Sequence, residues 1–135
     1  MDIFEQLRRD EGTRQFPYLD ALGKVTIGVG HNLDDKGLTP NQIDQILKDD
    51  VAEIDLALQS IPWFSGLDDV RKGVLRNMAF NLGVHGLLGF HDTLGHMERG
   101  EWDKAAAAML QSRWAGQVGA RATRLALQLT SGEWQ

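Results

Sequence analysis

Three residues near the start of the chain have types and spacing suited to acid–base chemistry: Glu11, Asp20 and Thr26. Glu11 lies four residues beyond Leu7 and continues the apolar stripe of Ile3, Phe4 and Leu7, on a short helix that stops at Gly12. Burial disfavours the charged form of a carboxyl group on such a face, and the negative end of the helix dipole acts in the same direction. Both effects raise the pKa, which suits a group that must hold a proton near neutral pH. Asp20 falls in a polar loop, where a carboxylate stays ionised. Two carboxyl groups in unlike surroundings form the acid/base pair that cleavage of a glycosidic bond uses. The plain alternative is that Glu11 turns to solvent from a frayed last turn and Asp20 only shapes a turn; spacing alone leaves both readings open.

Thr26 alternates with Gly28 and Gly30, so one face of its strand is open enough for a ligand to approach the backbone. A hydroxyl there could hold a water or a sugar. Equally, Thr26 could serve only strand propensity, with the glycines marking twist or a bulge. Asp50 is seven residues beyond Ile43 on the apolar stripe of a long helix, where an unpaired aspartate is costly, and His31 is its expected structural partner. His85, His91 and His96 show no metal-ligand spacing with any acid and read as surface or helix-end residues; neither a metal nor a cofactor is expected.

The elements that must position these residues follow from local signals. Asp2 and Glu5 form a capping-box pattern that opens the first helix. Val25, Ile27 and Val29 then alternate with small residues, which reads as a strand with one apolar face, paired with Tyr18 and Leu19 across a turn at 21–24 that contains Gly23. Thr39, Pro40 and Gln42 start a helix of about six turns, whose apolar positions run from Ile43 to Ile61 and end at Pro62. Helical spacing returns from Leu67 to Leu82 before Gly83, in short pieces over 87–90 and 92–99, from Trp102 to Trp114, and from Arg121 to Leu129.

The expected fold is therefore α+β and mainly α, in a single domain. It has a small N-terminal lobe with a β-hairpin over about 12–38, a connecting helix over about 39–61, and a helical C-terminal lobe over about 62–135 on which helix 2–11 packs. Two lobes joined in this way leave a cleft, a common place for a ligand. A chain of 135 residues is long enough to bury a core, and it has no cysteine to supply a disulfide or a thiol nucleophile. The formal charge of −5 argues against a nucleic-acid partner. No apolar run reaches the length of a membrane span, and the charged N-terminus lacks a signal peptide's apolar core.

The order of these features, a helix ending in Glu-Gly, a loop, Tyr18-x-Asp20 and then TIGVGH, resembles the phage-type lysozymes, glycoside hydrolase family 24. The stretches LDDVRKGVLRNMAFNLG, GEWDKAAAAMLQSRWAGQ and ARATRLALQLTSGEW are similar to that family's C-terminal lobe, so the resemblance covers nearly the whole chain. It implies a lysozyme-like fold and a muramidase that hydrolyses the β-1,4 bond between N-acetylmuramic acid and N-acetylglucosamine with inversion. Glu11 is then the general acid, Asp20 activates or positions the attacking water, and Thr26 helps to hold it. Gly30, Asn32, Phe80, Asn81 and Thr93 fall at sugar-contacting positions, of which Asn32, Asn81 and Thr93 differ from the best-known member, and Ala108 replaces a polar residue. Arg121 matches an arginine that pairs with the catalytic glutamate, and Asp50 matches the partner of the family's histidine, here His31. The segment NLDDKGL is shorter than in familiar members and trims the upper wall of the cleft.

The same resemblance implies a monomeric phage or prophage endolysin that waits in the host cytoplasm, is released through a holin lesion, and acts on peptidoglycan in the wall without stable membrane insertion. Two alternatives stand beside it: a non-catalytic wall-binding or phage structural relic of the fold, and a lytic transglycosylase, which uses one acid and leaves a 1,6-anhydro product.

Overall fold

A computed structural model describes all residues from Met1 to Gln135. The elements in chain order are α1 (Ile3–Glu11), β1 (Arg14–Leu19), β2 (Val25–Gly28), β3 (His31–Asn32), α2 (Leu33–Lys36), α3 (Pro40–Leu58), a 3₁₀ turn (Phe64–Gly66), α4 (Asp69–Leu88), α5 (His91–Glu98), α6 (Trp102–Leu110), α7 (Arg113–Val118) and α8 (Ala120–Ser131). The expected α+β, mainly helical class is borne out. Contacts divide the chain into two compact units, Met1–Leu47 and Lys48–Gln135, with the boundary inside α3.

In the first unit, α1 begins with the capping box the sequence signals. The Asp2 carboxylate accepts from Glu5 N (2.9 Å) and the Glu5 carboxylate from Asp2 N (2.9 Å). Gly12 ends it at φ 76°, a conformation that favours glycine. The three strands form one antiparallel sheet in the order β1-β2-β3. β1 starts at Arg14, earlier than the Tyr18 expected, because an irregularity between Arg14 and Tyr18 restores pairing with Gly28. The segment after His31, to which the sequence signals assign no element, contains α2. Asn32 Oδ1 caps it by accepting from Asp35 N (3.0 Å), and acidic Asp34 and Asp35 suit its first turn. Asp34 also accepts from Val25 N (2.7 Å) and Asp35 from Lys24 Nζ (3.1 Å), so this short helix is tied back to the hairpin.

α3 opens as predicted. Thr39 Oγ1 accepts from Gln42 N (3.2 Å) while Gln42 Oε1 accepts from Thr39 N (2.8 Å), with Pro40 as the first helical residue. Its regular turns end at Leu58, three residues short of Ile61, where the chain tightens into i→i+3 bonds.

The second unit holds the hydrophobic core. Leu58, Val74, Leu75, Met78, Leu87, Met97, Met109 and Leu129 are wholly buried, drawn from α3, α4, α5, α6 and α8. Burying a side chain of this kind contributes about 1.5–3 kcal/mol relative to leaving it exposed, which is why the spacing of these residues was readable. α6 packs on α5, α7 and α8, and α8 packs on α4. Gly83 interrupts α4 at φ 76° as expected, but the chain resumes helix and continues to Leu88. The expected helix to Trp114 stops at Leu110 instead. Ser112 Oγ accepts from Ala115 N (3.1 Å) and starts α7. No helix is long and apolar enough to cross a membrane.

Candidate active site

The register of the sheet assembles the N-terminal candidates. Tyr18 pairs with Thr26 and Thr26 with Asn32, so these three share one face of the sheet, and alternation along β2 adds the position of Gly28. Thr26 is the one residue of β2 that is buried, while Gly28 and Asn32 are half-buried. Thr26 is 3% exposed, whereas Val25 and Ile27 on the opposite face are only half-buried and Val29 is exposed. The expectation of a face open to a ligand is corrected at Thr26, which is the strand's buried residue.

Asp20 belongs to the same local structure. Its Oδ1 accepts from Leu22 N (2.8 Å) and Lys24 N (2.9 Å), which fixes the carboxylate across the hairpin turn. The Lys24 carbonyl receives two donors, Asp20 N (2.9 Å) and Thr26 Oγ1 (2.9 Å). Asp20 and Thr26 are therefore locked to one carbonyl oxygen. The hydroxyl proton of Thr26 is committed to that oxygen, which leaves Thr26 Oγ1 as an acceptor for anything beside it.

Glu11 is exposed, not inward-facing. Ile3, Phe4 and Leu7 along the same stripe are exposed as well, so the stripe carries no burial argument for the glutamate. Its carboxyl group does have a defined neighbour. A Cβ built on Gly30 would lie 3.4 Å from Glu11 Oε2, and Gly30 adopts φ 68°, where L side chains are strained. The close pair Glu11–Gly30 joins the end of α1 to the turn between β2 and β3.

His31 Nε2 donates to the Gly37 carbonyl (2.7 Å), which fixes the ring over α2. Asn32 uses both ends of its amide on Asp35, since Nδ2 also donates to Asp35 Oδ2 (3.0 Å). Asp50 is exposed, a correction to the buried position read from helical spacing, so the desolvation argument for a partner does not apply to it.

In the second unit, Phe80 is 48% exposed and lines a pocket with Asp50, Glu53, Ile54 and Val84. Asn81 Oδ1 accepts from Trp114 Nε1 (2.8 Å), and Phe90 meets Trp114 edge-on at 6.0 Å. Thr93, 2% exposed, lies in a pocket of ≈ 560 Å³ with Trp114, Ala108, Arg113 and Phe90. The structure thus groups Thr93 and Ala108 about Trp114, and Asn81 reaches the same indole. Arg121 donates from Nε to Asn77 Oδ1 (2.8 Å) and from a terminal nitrogen to the Asn77 carbonyl (3.3 Å), clamping α8 to α4.

Sequence reasoning missed three groups. Trp114 was read only as a helix residue, though an indole N–H beside an apolar face needs an acceptor and could have been sought. Asp55 forms a two-point pair with Arg76 (2.6 and 3.1 Å). Glu101 gathers Arg99, His96 and Lys104, and these partners pull its carboxyl down to about 2. Asp55 and Arg76 have no spacing signal, because they come from different helices, whereas Glu101 and Lys104 stand three residues apart and could have been paired from the sequence.

A small mixed α/β unit followed by an all-helical one is the lysozyme-like form of the α+β class. The chain belongs to the phage lysozyme family, whose model matches residues 8–127. It is 29% identical over 98% of its length to the pre-baseplate central spike protein Gp5 of Enterobacteria phage T4, of which it spans only 28%. It is also 27% and 26% identical to probable T4-type lysozymes 1 and 2 of Dictyostelium discoideum, covering 96% and 90% of this chain and 94% and 89% of theirs. Membership makes it a lysozyme-type glycosidase, a muramidase acting on peptidoglycan.

Proposed function

We propose that the chain hydrolyses the β-1,4 bond between N-acetylmuramic acid and N-acetylglucosamine by an inverting mechanism centred on Glu11, Asp20 and Thr26. The observation that carries this reading is the shared Lys24 carbonyl, which holds Asp20 and Thr26 as one rigid pair. Glu11 donates its proton to the leaving glycosidic oxygen as the bond to the anomeric carbon breaks. A water attacks that carbon from the opposite face and gives one proton to the Asp20 oxygen that the turn does not use. Its second hydrogen is accepted by Thr26 Oγ1, whose own proton is held by Lys24. Inversion needs about 6.5–9.5 Å between the two carboxyl groups, room for that water.

Gly30, Asn32, Phe80, Asn81 and Thr93 are proposed sugar-contacting residues, and His31, Asp50 and Arg121 supporting ones. Asn32 acts through a fixed orientation, since α2 already holds its amide. The biological role proposed is that of an endolysin, monomeric and dependent on a holin for access to the wall.

The test is release of reducing ends from purified peptidoglycan. Glu11→Gln and Asp20→Ala are each expected to lower it by about 10²–10⁴-fold, and Glu11→Gln clearing at the wild-type rate would sink the assignment. Mass spectrometry of the products separates the mechanisms: a 1,6-anhydro end in place of a reducing end identifies a transglycosylase. A second biological reading, a lysozyme domain of a phage particle, is favoured by the match to part of the longer spike protein. Lysis that appears only on co-expression with a holin supports the endolysin.

A further inference from the structure

The second unit contains a hollow that none of the proposed catalytic or sugar-contacting residues lines. It is ≈ 600 Å³ in volume, is lined by Trp63, Trp102, Ser65, Asp68, Glu98 and their neighbours, and shares no residue with the pocket around Thr93. Trp63 and Trp102 are half-buried, with part of each packed on the core. The Arg71 guanidinium stacks over Trp102 at 4.2 Å from its centroid. Arg71 is itself fixed by bonds to the Leu129 carbonyl (2.9 Å) and to Asp68 (3.1 Å). Trp102 is therefore a rigid platform that costs little to order when something binds.

The polar rim is of mixed charge: it carries Asp68 and Glu98 together with the exposed Arg99, which pairs with Glu101. Burial works to raise Asp68, but the backbone and guanidinium of Arg71 outweigh it and hold the carboxyl below its ordinary value, so it stays ionised. Asp68 Oδ1 already accepts from Arg71 N (2.9 Å). Glu98 is exposed at the opposite part of the rim. Asp68 is balanced by Arg71, and Glu98 and Arg99 bring opposite charges to the same rim, so no net field draws in a charged ligand; a purely apolar one would desolvate these groups without return. A pyranose ring meets both demands, because its C–H face suits an indole and its hydroxyls donate to carboxylate oxygens.

We propose that the Trp63–Trp102 hollow is an accessory saccharide-binding site for an uncharged N-acetylhexosamine of the glycan strand, apart from the catalytic carboxylates. It rests on the peptidoglycan reading for the identity of the sugar. The site holds the strand at a second point and so favours polymeric over short substrates.

The chain has four tryptophans, so their indole N–H signals report each site separately in a heteronuclear NMR titration with the N-acetylglucosamine tetramer. The signals of Trp63 and Trp102 are expected to shift together and saturably, in the wild type and equally in Glu11→Gln. Trp63→Ala is expected to weaken the response of Trp102 by about 2- to 10-fold, the scale of one aromatic contact. Glu98→Gln, an exposed change that spares the core, is expected to weaken it too. A response confined to Trp114, no response, or an unchanged Trp102 response in both variants overturns the proposal. Equal binding of a glucose tetramer overturns the assignment to an N-acetylhexosamine. Reducing-end release by the same preparations reports on the catalytic reading independently, so the two can fail separately.

Discussion

Gly30 places the tightest demand on a single position of the candidate site. Its φ of 68° costs an L residue about 1–2 kcal/mol, and any Cβ there meets the Glu11 carboxyl at 3.4 Å. Gly30→Ala is expected to lower stability by about that amount in chemical denaturation, and to reduce reducing-end release further than the stability loss explains. A variant as active as the wild type would show that the neighbour of Glu11 has no bearing on its work. Asn81→Leu makes a second test. Trp114 is 4% exposed and its Nε1 loses its acceptor, so the substitution is expected to cost about 1–3 kcal/mol. Spacing singles out Glu11, Asp20 and Thr26 as candidates but leaves their roles open, and the family resemblance supplies the roles. Their environments are less legible. Helical spacing marks which side a residue shares, but not whether anything covers that side, and Glu11 and Asp50 both lie exposed.

Caps and core stripes made most elements readable. Asp2–Glu5 and Thr39–Gln42 satisfy helix-end donors within four residues, so the signal is wholly local. The features that escaped were set by partners further off. α2 depends on the hairpin through Asp34 and Asp35, and the β1 irregularity depends on pairing with β2. The junction of α5 and α6 is local instead, since the partners of Glu101 lie within five residues, and its cluster has a pH signature. Arg99, His96 and Lys104 lower the Glu101 carboxyl from 4.5 to about 2. A carboxyl depressed in the folded state contributes stability in full above its unfolded value, and that contribution is lost as pH falls towards the folded value. The wild type is therefore expected to lose melting temperature between about pH 4.5 and 2 through this group, whereas Glu101→Gln is expected to start lower and fall less steeply across the same window. Parallel melting curves for the two proteins would show that the cluster contributes nothing.

At the scale of the whole molecule, the formal charge of −5 sets how the protein meets its substrate. Bacterial walls are anionic, so the long-range field opposes approach instead of steering it. Local attraction has to come from short-range contacts, which is the situation in which a second saccharide site of indoles and hydroxyl acceptors has most effect. Added salt screens the repulsion over about 10 Å at 0.1 M and leaves hydrogen bonds and stacking largely intact. Turnover of whole peptidoglycan is therefore expected to rise, or hold level, as ionic strength increases from about 10 mM to 0.1 M. For a short uncharged oligosaccharide it is expected to stay flat, because no wall charge is present. A basic lysozyme would show the opposite slope on the wall. A steep fall with salt here would mean that a local cationic patch, not the net charge, governs the encounter.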